Sequence, residues 1–171
     1  MEIIVFTVIS LIIWALVIYN LLIRDRIRVL AAWSDIDVQL KRRYDLVPKL
    51  VEAVKQYASY EAATLKAVTE MRATGELKST VTDRGNLESQ LGNKLQHLIA
   101  LAEAYPELKA NQSFLDLQHN LTEVEKHIQY ARRYYNGCVR NLNVRIESFP
   151  DMIVARACNF LQAEFFQLED K

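Results

Sequence analysis

Three side chains of the types that bind metal ions recur along one stretch of the sequence. His119, Glu123 and His127 are spaced by four residues, so they share one face if the stretch is helical. Di-iron helical bundles, however, combine Glu-x-x-His pairs from two helices with two further glutamates. Neither Glu123 nor Glu125 has a histidine three residues later. A solvated helix face is therefore the favoured interpretation, and we predict no metal site and no cofactor.

A cysteine thiol is the other side chain that could do chemistry here. Cys138 and Cys158 show no spacing typical of a metal site, and Cys138 falls on a regular apolar stripe. Such a cysteine is favoured as a small buried residue over a nucleophile, which needs a partner base. No phosphate-binding loop, nucleotide fingerprint or HExxH motif occurs. We predict that the protein is not an enzyme, has no catalytic residue and binds no small-molecule substrate.

A charged segment near the N-terminal third of the chain is the best candidate for an interaction surface. Its polar members are Asp35, Asp37, Gln39, Lys41, Arg42, Arg43 and Asp45. Charges alternate in sign at helical spacing, so intrahelical pairs such as Asp37–Lys41 can form. The segment is either an exposed, salt-bridged helix face or a recognition and assembly surface near a membrane. Its cations could also contact anionic lipid headgroups. Formal net charge is zero, so no global field favours nucleic acid.

An apolar run precedes this segment and predicts a membrane anchor. Ile3 to Ile23 has no charged residue and is about as long as the 20 residues that a helix needs to cross a bilayer. A cleaved signal peptide is the alternative, but no Lys or Arg precedes the run and no small-residue cleavage site follows it. The cations that follow the run are Arg24, Arg26, Arg28, Lys41, Arg42 and Arg43. They predict a single-pass inner-membrane protein, with its N-terminus outside and its C-terminal domain in the cytoplasm.

Apolar residues at spacings of three and four predict three long helices after the anchor, and the low content of glycine (4) and proline (3) agrees. Helix A is expected to continue from the anchor to Arg72, with a kink near Tyr44 because Pro48 removes one helical hydrogen bond. Its stripe comprises Trp33, Ile36, Leu40, Tyr44, Val47, Val51, Val54, Ala58, Ala62, Leu65 and Val68. Residues 73–83 are expected to form a loop.

Two further helices and a short tail complete the predicted bundle. Helix B is expected from Asn86 to Glu103, ended by Tyr105–Pro106, and helix C runs from a cap at Asn111 or Ser113 to Phe149–Pro150. A short fourth helix is expected within residues 152–160. The stripe of helix B is Leu87, Leu91, Leu95, Leu98 and Ala102; that of helix C is Phe114, Leu117, Leu121, Val124, Ile128, Ala131, Tyr135, Cys138 and Leu142. The helix C pattern is typical of left-handed helix packing.

Three stretches of the sequence closely resemble the signature of the LemA family. They are AWSDIDVQLKRRYDLVP at 32–48, AEAYPELKAN at 102–111, and ARRYYN at 131–136 continuing to Phe149–Pro150. The resemblance covers nearly the whole chain in order, including the anchor. Three positions depart from the family pattern: Lys49 replaces the usual Asn, Leu142 replaces an aromatic residue, and Asn159 replaces Gly.

The resemblance implies a fold and narrows the function. The expected fold is all-α, with a single transmembrane helix (residues 1–23) continuing into an elongated antiparallel three- to four-helix LemA-like bundle (residues 24–171). LemA-like proteins are bacterial and have no established catalytic role. A related MamQ-like branch is tied to magnetosome membrane formation, and other members are encoded beside membrane metalloproteases.

These associations leave two functions open. The first is a non-enzymatic scaffold or adaptor at the membrane, which self-assembles, presents partners or shapes the bilayer. Its partners would be the lipid bilayer, further copies of the chain and other membrane proteins. The alternative is a regulatory or sensor subunit of a membrane protease or signalling complex.

Overall fold

The structure is a computed structural model that describes residues 1–57, 66–70, 72–73, 81–102 and 104–166. These residues form helices and short turns, and no strand occurs among them. The helices are α1 (Glu2–Lys55), α2 (Val81–Ala102), α3 (Pro106–Lys109), α4 (Gln112–Glu147) and α5 (Asp151–Ala157). Residues 66–70 and 72–73 are also helical. The predicted all-α fold with a long apolar N-terminal helix is confirmed.

The first part of α1 contains the predicted anchor. Within the described part of the chain, α1 is the helix whose length and composition suit it to cross a membrane. Its side chains are exposed almost without interruption up to Val17, as expected of a helix that meets lipid rather than protein. Ile18 and Leu22, at the end of the apolar run, are instead buried.

The proline inside α1 does not end the helix, which continues through Pro48 to Lys55. Because proline has no N–H, the carbonyl of Tyr44, four residues earlier, loses its usual helical donor. The Nε of Arg72 donates a hydrogen bond to that carbonyl over 2.8 Å. The predicted bend near Tyr44 stays a prediction.

The predicted length of helix A is wrong. The helix ends at Lys55, a turn follows at residues 56–57, and the chain has doubled back by Arg72, because that side chain reaches Tyr44. Three members of the predicted stripe, at positions 58, 62 and 65, lie outside the described residues.

The predicted loop is helical at both of its ends, at residue 73 and at residues 81–83, and helix B begins earlier than predicted. Helix α2 begins at Val81 rather than Asn86, so the last residues of the predicted loop are helical, while residues 74–80 lie outside the described part. The helix ends at Ala102, one residue before the predicted end at position 103, which is not described. Pro106 then begins α3, a short helix that the sequence did not predict. Proline suits this position because the first N–H of a helix has no intrahelical partner.

Helix α4 begins with a side-chain cap. The Oδ1 of Asn111 accepts hydrogen bonds from the backbone N–H groups of Ser113 at 3.0 Å and Phe114 at 3.3 Å. This arrangement satisfies two donors that the first helical turn leaves free. Of the two caps predicted from sequence, Asn111 is therefore the one that is used.

Helix α5 ends in a left-handed residue, Asn159, with φ of 55°. The N–H of Phe160 donates to the carbonyl of Ala155 at 2.9 Å, and the N–H of Asn159 donates to Arg156 at 3.2 Å. This pair of bonds is a Schellman motif, which usually places glycine at the left-handed position. The left-handed conformation explains why the family usually has glycine at this position. Asparagine can replace it because asparagine tolerates this conformation better than most residues. The predicted fourth helix is confirmed, although it stops at Ala157.

The chain divides into two compact units, residues 1–34 with 133–165 (unit 1) and residues 35–132 with 166–171 (unit 2). Within unit 1, α1 and α4 run antiparallel. The rings of Trp33 and Tyr135 lie 5.5 Å apart, and the carboxylate of Asp25 lies 2.8 Å from Nε of Arg145. Residues nearer the N-terminus of α1 therefore lie beside residues nearer the C-terminus of α4.

The core of unit 2 follows the predicted stripes. Buried residues include Ile36, Leu40, Val47, Leu50 and Val54 of α1, Leu91, Leu95, Leu98 and Ala102 of α2, and Phe114, Leu117, Leu121, Val124 and Ile128 of α4. Leu50 takes the place predicted for Val51, which is half-buried. Buried side chains on each of these helices recur seven residues apart, as in Val47–Val54, Leu91–Leu98 and Leu121–Ile128, and this spacing is typical of left-handed helix packing.

Candidate functional site: two faces of the charged segment on α1

The residues predicted as an interaction surface all lie on α1, but they do not share one environment. Asp35, Lys41, Arg42 and Asp45 are exposed, Asp37 and Gln39 are half-buried, and Arg43 is buried. The expectation that Arg43 belongs to a solvated face is wrong. Arg43 and Tyr44 form an inner face of the segment, and the four exposed charges form what we call the outer face.

Arg43 joins three helices. Its Nη1 donates a hydrogen bond of 2.8 Å to Oε1 of Glu125 on α4. Its Nη2 forms an ion pair with the carboxylate of Glu88 on α2 and lies 3.3 Å from the backbone oxygen of the same residue. The side chains of Arg43 and Glu88 are 1% and 0% exposed, whereas Glu125 is 31% exposed. Arg43 is therefore the centre of a buried charge cluster.

Tyr44 also contacts the buried carboxylate, because its hydroxyl donates a hydrogen bond to Oε1 of Glu88. The two partners of Glu88 are thus adjacent residues on α1. Both ionic residues occupy core positions of a heptad pattern: Arg43 lies midway between the buried Ile36 and Leu50, and Glu88 precedes the buried Leu95 by seven residues. This spacing is the signal by which sequence reasoning could have found the cluster, which it missed.

A second guanidinium lies near the first. Burial, followed by the positive charge of Arg43, lowers the pKa of Arg132 to about 10, and the carboxylate of Glu125 opposes that shift. The guanidinium carbon of Arg132 lies 4.8 Å from the centroid of the Phe166 ring, a cation–π contact. Two arginines and two glutamates therefore balance the charge of the cluster.

The buried cluster is suited to fixing helix register rather than to catalysis. Its central ion pair is shielded from solvent, so a substrate would have no access to it in this conformation. A buried ion pair contributes little net stability, but leaving one partner alone costs several kcal/mol. Sliding α1 by one turn against α2 would separate Arg43 from Glu88 and incur that cost. The cluster therefore fixes which side of α1 faces outward.

The outer face is a stripe of charges that recur every three or four residues. Asp35, Arg42 and Asp45 follow this spacing, with the exposed Val38 between the first two. Within the described residues, no ion pair neutralises Asp35, Lys41, Arg42 or Asp45. The predicted Asp37–Lys41 pair does not form: Oδ1 of Asp37 pairs instead with Nη1 of Arg84 on α2, at 2.7 Å.

The sequence candidates for metal binding lie on the solvent side of α4. His119 and His127 are exposed, and Glu123 accepts a 2.7 Å hydrogen bond from Nζ of Lys126. That hydrogen bond and the positive charge of Lys126 lower the pKa of Glu123. Across the described parts of the chain, no three metal-binding side chains are grouped. Cys138 is buried, as the stripe of helix C predicted.

A second polar cluster lies in unit 1, directly after the apolar run. The buried carboxylate of Asp25 is 2.8 Å from Nε of Arg145, 3.3 Å from Nη1 of Arg28 and 3.6 Å from Nε of Arg24. Arg145 also pairs with Asp151 at 2.9 Å. Local spacing could not have predicted this cluster, because Arg145, which pairs with Asp25, lies 120 residues away in the chain.

A family model described as the LemA family matches residues 32–171, which include both faces of the charged segment and every residue of the buried cluster. The chain belongs to the LemA family. The predicted resemblance is therefore confirmed, and the matched region begins directly beside the charged segment.

This LemA-family chain is similar to bacterial proteins that carry two different names, LemA and MamQ. It is 27% identical to "Protein LemA" of Metamycoplasma hominis, over 88% of this chain and 69% of the relative. It is also 24% identical to "Magnetosome protein MamQ 2" of Paramagnetospirillum magneticum, over 98% of this chain and 71% of the relative. "Magnetosome protein MamQ" of Magnetospirillum gryphiswaldense is 21% identical, over 78% of this chain and 58% of the relative. The expected relation to MamQ-like proteins is therefore confirmed.

Proposed function

We propose that this LemA-family chain is a non-enzymatic, membrane-anchored scaffold or adaptor. It assembles with further copies or binds other membrane proteins through the outer face, Asp35, Lys41, Arg42 and Asp45. The observation that carries the proposal is the division of the charged segment: its buried arginine pairs with two carboxylates inside the protein, whereas its exposed charges are not paired with described residues.

A partner could recognise the outer face by the order of its charges. Exposed charges of both signs, held in fixed order along a helix, select a complementary surface and discourage wrong partners. The buried cluster beneath them fixes the rotation of α1, so the order is presented rigidly. A preorganised surface binds more tightly because less conformational entropy is lost on association.

The relatives support the setting of this proposal. The relatives that are named magnetosome proteins point to a membrane compartment. The apolar N-terminal helix would attach this chain directly to a bilayer. We propose that the same arrangement organises proteins at the surface of a bilayer here.

Orientation is part of the proposal. Arg24, Arg26 and Arg28 follow the apolar run, and cations on one side of a span favour the cytoplasm. We place the domain that follows in the cytoplasm. Protease should then cleave the domain in inside-out membrane vesicles and spare it in right-side-out vesicles. The opposite pattern would overturn the orientation without affecting the assignment of the outer face.

The outer face is tested by photo-crosslinking in living cells. A benzoyl-phenylalanine at Val38, which is exposed between Asp35 and Arg42, would report what lies against the outer face. The same amino acid at Tyr130, an exposed aromatic residue of α4, is the matched control. We expect a discrete crosslinked species from position 38 and a much weaker one from position 130.

The identity of the crosslinked species separates the two functions considered. A product at twice the chain mass supports a self-assembling scaffold, and a different membrane protein in constant proportion supports a regulatory subunit. Equal labelling from both positions, or none from position 38, would contradict the proposed surface.

A further inference from the structure

Three large apolar side chains are exposed where α4 gives way to α5 and the segment after it. Phe149 is 78% exposed, Ile153 52% and Leu161 77%. Single exposed apolar residues are common on soluble proteins, but a group of them at one end of a domain indicates a contact surface. We define these three residues as the apolar tip of unit 1.

The antiparallel pairing of α1 and α4 sets the level of the apolar tip. Asp25 pairs with Arg145, and α4 ends two residues later at Glu147, so the end of α4 lies near the level of Ile23 on α1, and Phe149 follows in the turn. At about 1.5 Å per residue, these two residues of α4 cover roughly 3 Å. The uncharged run ends at Ile23. The turn that holds Phe149 therefore follows α4 close to the level at which the uncharged run ends.

A ring contact supports the same level. The rings of Tyr19 and Phe160 meet edge to face, with centroids 5.9 Å apart, so the segment after α5 also reaches the span. Ile18 and Leu22 are buried here, whereas Leu16 and Val17 just before them remain exposed. Residues 133–165 of unit 1 thus cover one side of the final turns of the span, and Leu161 lines a cavity with Arg26 and Val29, just past the uncharged run.

Charged residues limit how deeply the apolar tip can enter lipid. Glu147 precedes Phe149 by two residues, and its carboxylate accepts a hydrogen bond from the side chain of Gln162. Arg156 of α5 is exposed, as are Arg24 and Arg28 of the Asp25 cluster. Carboxylates do not enter the hydrocarbon core readily, whereas arginines beside apolar residues suit the phosphate level. The boundary between headgroups and acyl chains, where amphipathic surfaces bury their apolar side, fits both constraints.

We propose that the apolar tip lies in the bilayer itself, at the headgroup–acyl boundary of the leaflet that faces the C-terminal domain. It is a second membrane contact beside the span, and its ligand is the lipid interface rather than a protein. This contact holds unit 1 against the leaflet and displaces lipid on one side of the anchor. The inference does not depend on the outer face of α1.

The test places a fluorophore on the full-length protein in phosphatidylcholine–phosphatidylglycerol vesicles. The parent carries Cys158→Ser and keeps Cys138, which is buried; it should take up no label. Phe149→Cys and Leu161→Cys are labelled with an environment-sensitive dye. Lipids bearing a nitroxide near the headgroup or deep in the acyl chain then quench whatever they contact.

Two control positions make the outcome decisive. Tyr134→Cys carries the dye on an exposed aromatic site of α4, 58% exposed and about 20 Å along the helix from its end at Glu147. Ile9→Cys carries it inside the span. We expect the shallow nitroxide to quench the dyes at 149 and 161 at least threefold more than the dye at 134, and the deep nitroxide to quench the dye at 9 most.

Several results would overturn the inference. Equal quenching at 149 and 134, with iodide in the water reaching both, would place the apolar tip in solvent. A dye at 149 that neither iodide nor nitroxide lipids quench would indicate a protein contact instead, if this protection increases with the ratio of protein to lipid. Failure of nitroxide lipids to quench the dye at position 9 would remove the membrane span, and the inference with it. Loss of partner capture through the outer face changes none of these readings, so the two proposals fail separately.

Discussion

Arg42 and Arg43 are neighbours on one helix, yet they have opposite environments. Arg43 is fully buried and contacts two carboxylates from two other helices, while Arg42 is exposed. One step along a helix rotates a side chain by about 100°, which is enough to move it from a packed core to solvent. The comparison between the inner and outer faces teaches that a run of charges in a sequence is not a single surface. Part of it can be structural and part of it available for binding.

The largest expected effect is the loss of the inner arginine. Arg43→Ala should lower the free energy of unfolding by about 3–5 kcal/mol, because it leaves Glu88 buried without its cation. The matched control is Arg42→Ala, one residue away and exposed, which should change stability by less than about 0.5 kcal/mol. Thermal unfolding of the full chain in detergent, followed by circular dichroism, measures both. Equal effects of the two substitutions would abolish the distinction between the faces.

The hydroxyl of Tyr44 should have the next largest effect. Tyr44→Phe removes a hydrogen bond to a buried carboxylate and should cost about 1.5–3 kcal/mol. The same unfolding measurement applies. Tyr134→Phe, at an exposed site, is the control and should be close to neutral. A neutral Tyr44→Phe would mean that the ion pair alone satisfies Glu88.

A double substitution separates the ionic from the packing role of the cluster. Arg43→Leu together with Glu88→Leu removes both buried charges and should restore at least about 2 kcal/mol of the stability lost in Arg43→Ala. Glu125 is partly exposed and can be hydrated when its partner is gone. If the double variant were as unstable as the sum of the single variants, the two charges would not be coupled.

The outer face should contribute little to stability. Lys41→Glu with Arg42→Glu should change the free energy of unfolding by less than about 1 kcal/mol, since substitutions at exposed, unpaired sites are usually near neutral. Insertion should also persist, because Arg24, Arg26 and Arg28 remain beside the span. A large loss of stability in this variant would show that the outer face is structural after all.

The smallest effect concerns an exposed pair that serves as a reference. Because Lys126 lowers the pKa of Glu123, the stabilisation from this pair is present above the pKa of the unfolded carboxyl. It is lost as the pH falls through the folded value. NMR titration should find the carboxyl of Glu123 below its ordinary pKa, and Lys126→Met should return it toward that value. An unchanged pKa in Lys126→Met would contradict the pairing.

The fold was predictable to a large extent because its cores follow simple periodicity. The stripe of helix C predicted Leu121, Val124 and Ile128 as core residues, and all are buried. The reversal after α1 was not predictable in this way. Apolar residues recur at three and four on both sides of it, and no glycine or proline lies between Lys55 and Arg72, so the pattern reads as one helix.

The candidate site was only partly predictable for a different reason. The sequence locates the charged segment, but the burial of Arg43 depends on Glu88 and Glu125, which lie 45 and 82 residues away. Local spacing contains no information on such pairings. The heptad position of Arg43 between Ile36 and Leu50 was the available clue, and a charged residue at a core position indicates a buried partner.

The most direct test of the account is partner capture by a variant whose outer face alone is altered. Full-length Lys41→Glu with Arg42→Glu is compared with Lys109→Glu and Arg133→Glu, which makes the same change in charge at exposed sites of α3 and α4. Each is crosslinked in cells and purified in detergent, and the captured protein is quantified against the bait by mass spectrometry. The account predicts at least a tenfold loss of capture in the outer-face variant and near wild-type capture in the control. Equal capture by both, with both correctly inserted and folded, would show that the outer face is only a solvated side of α1.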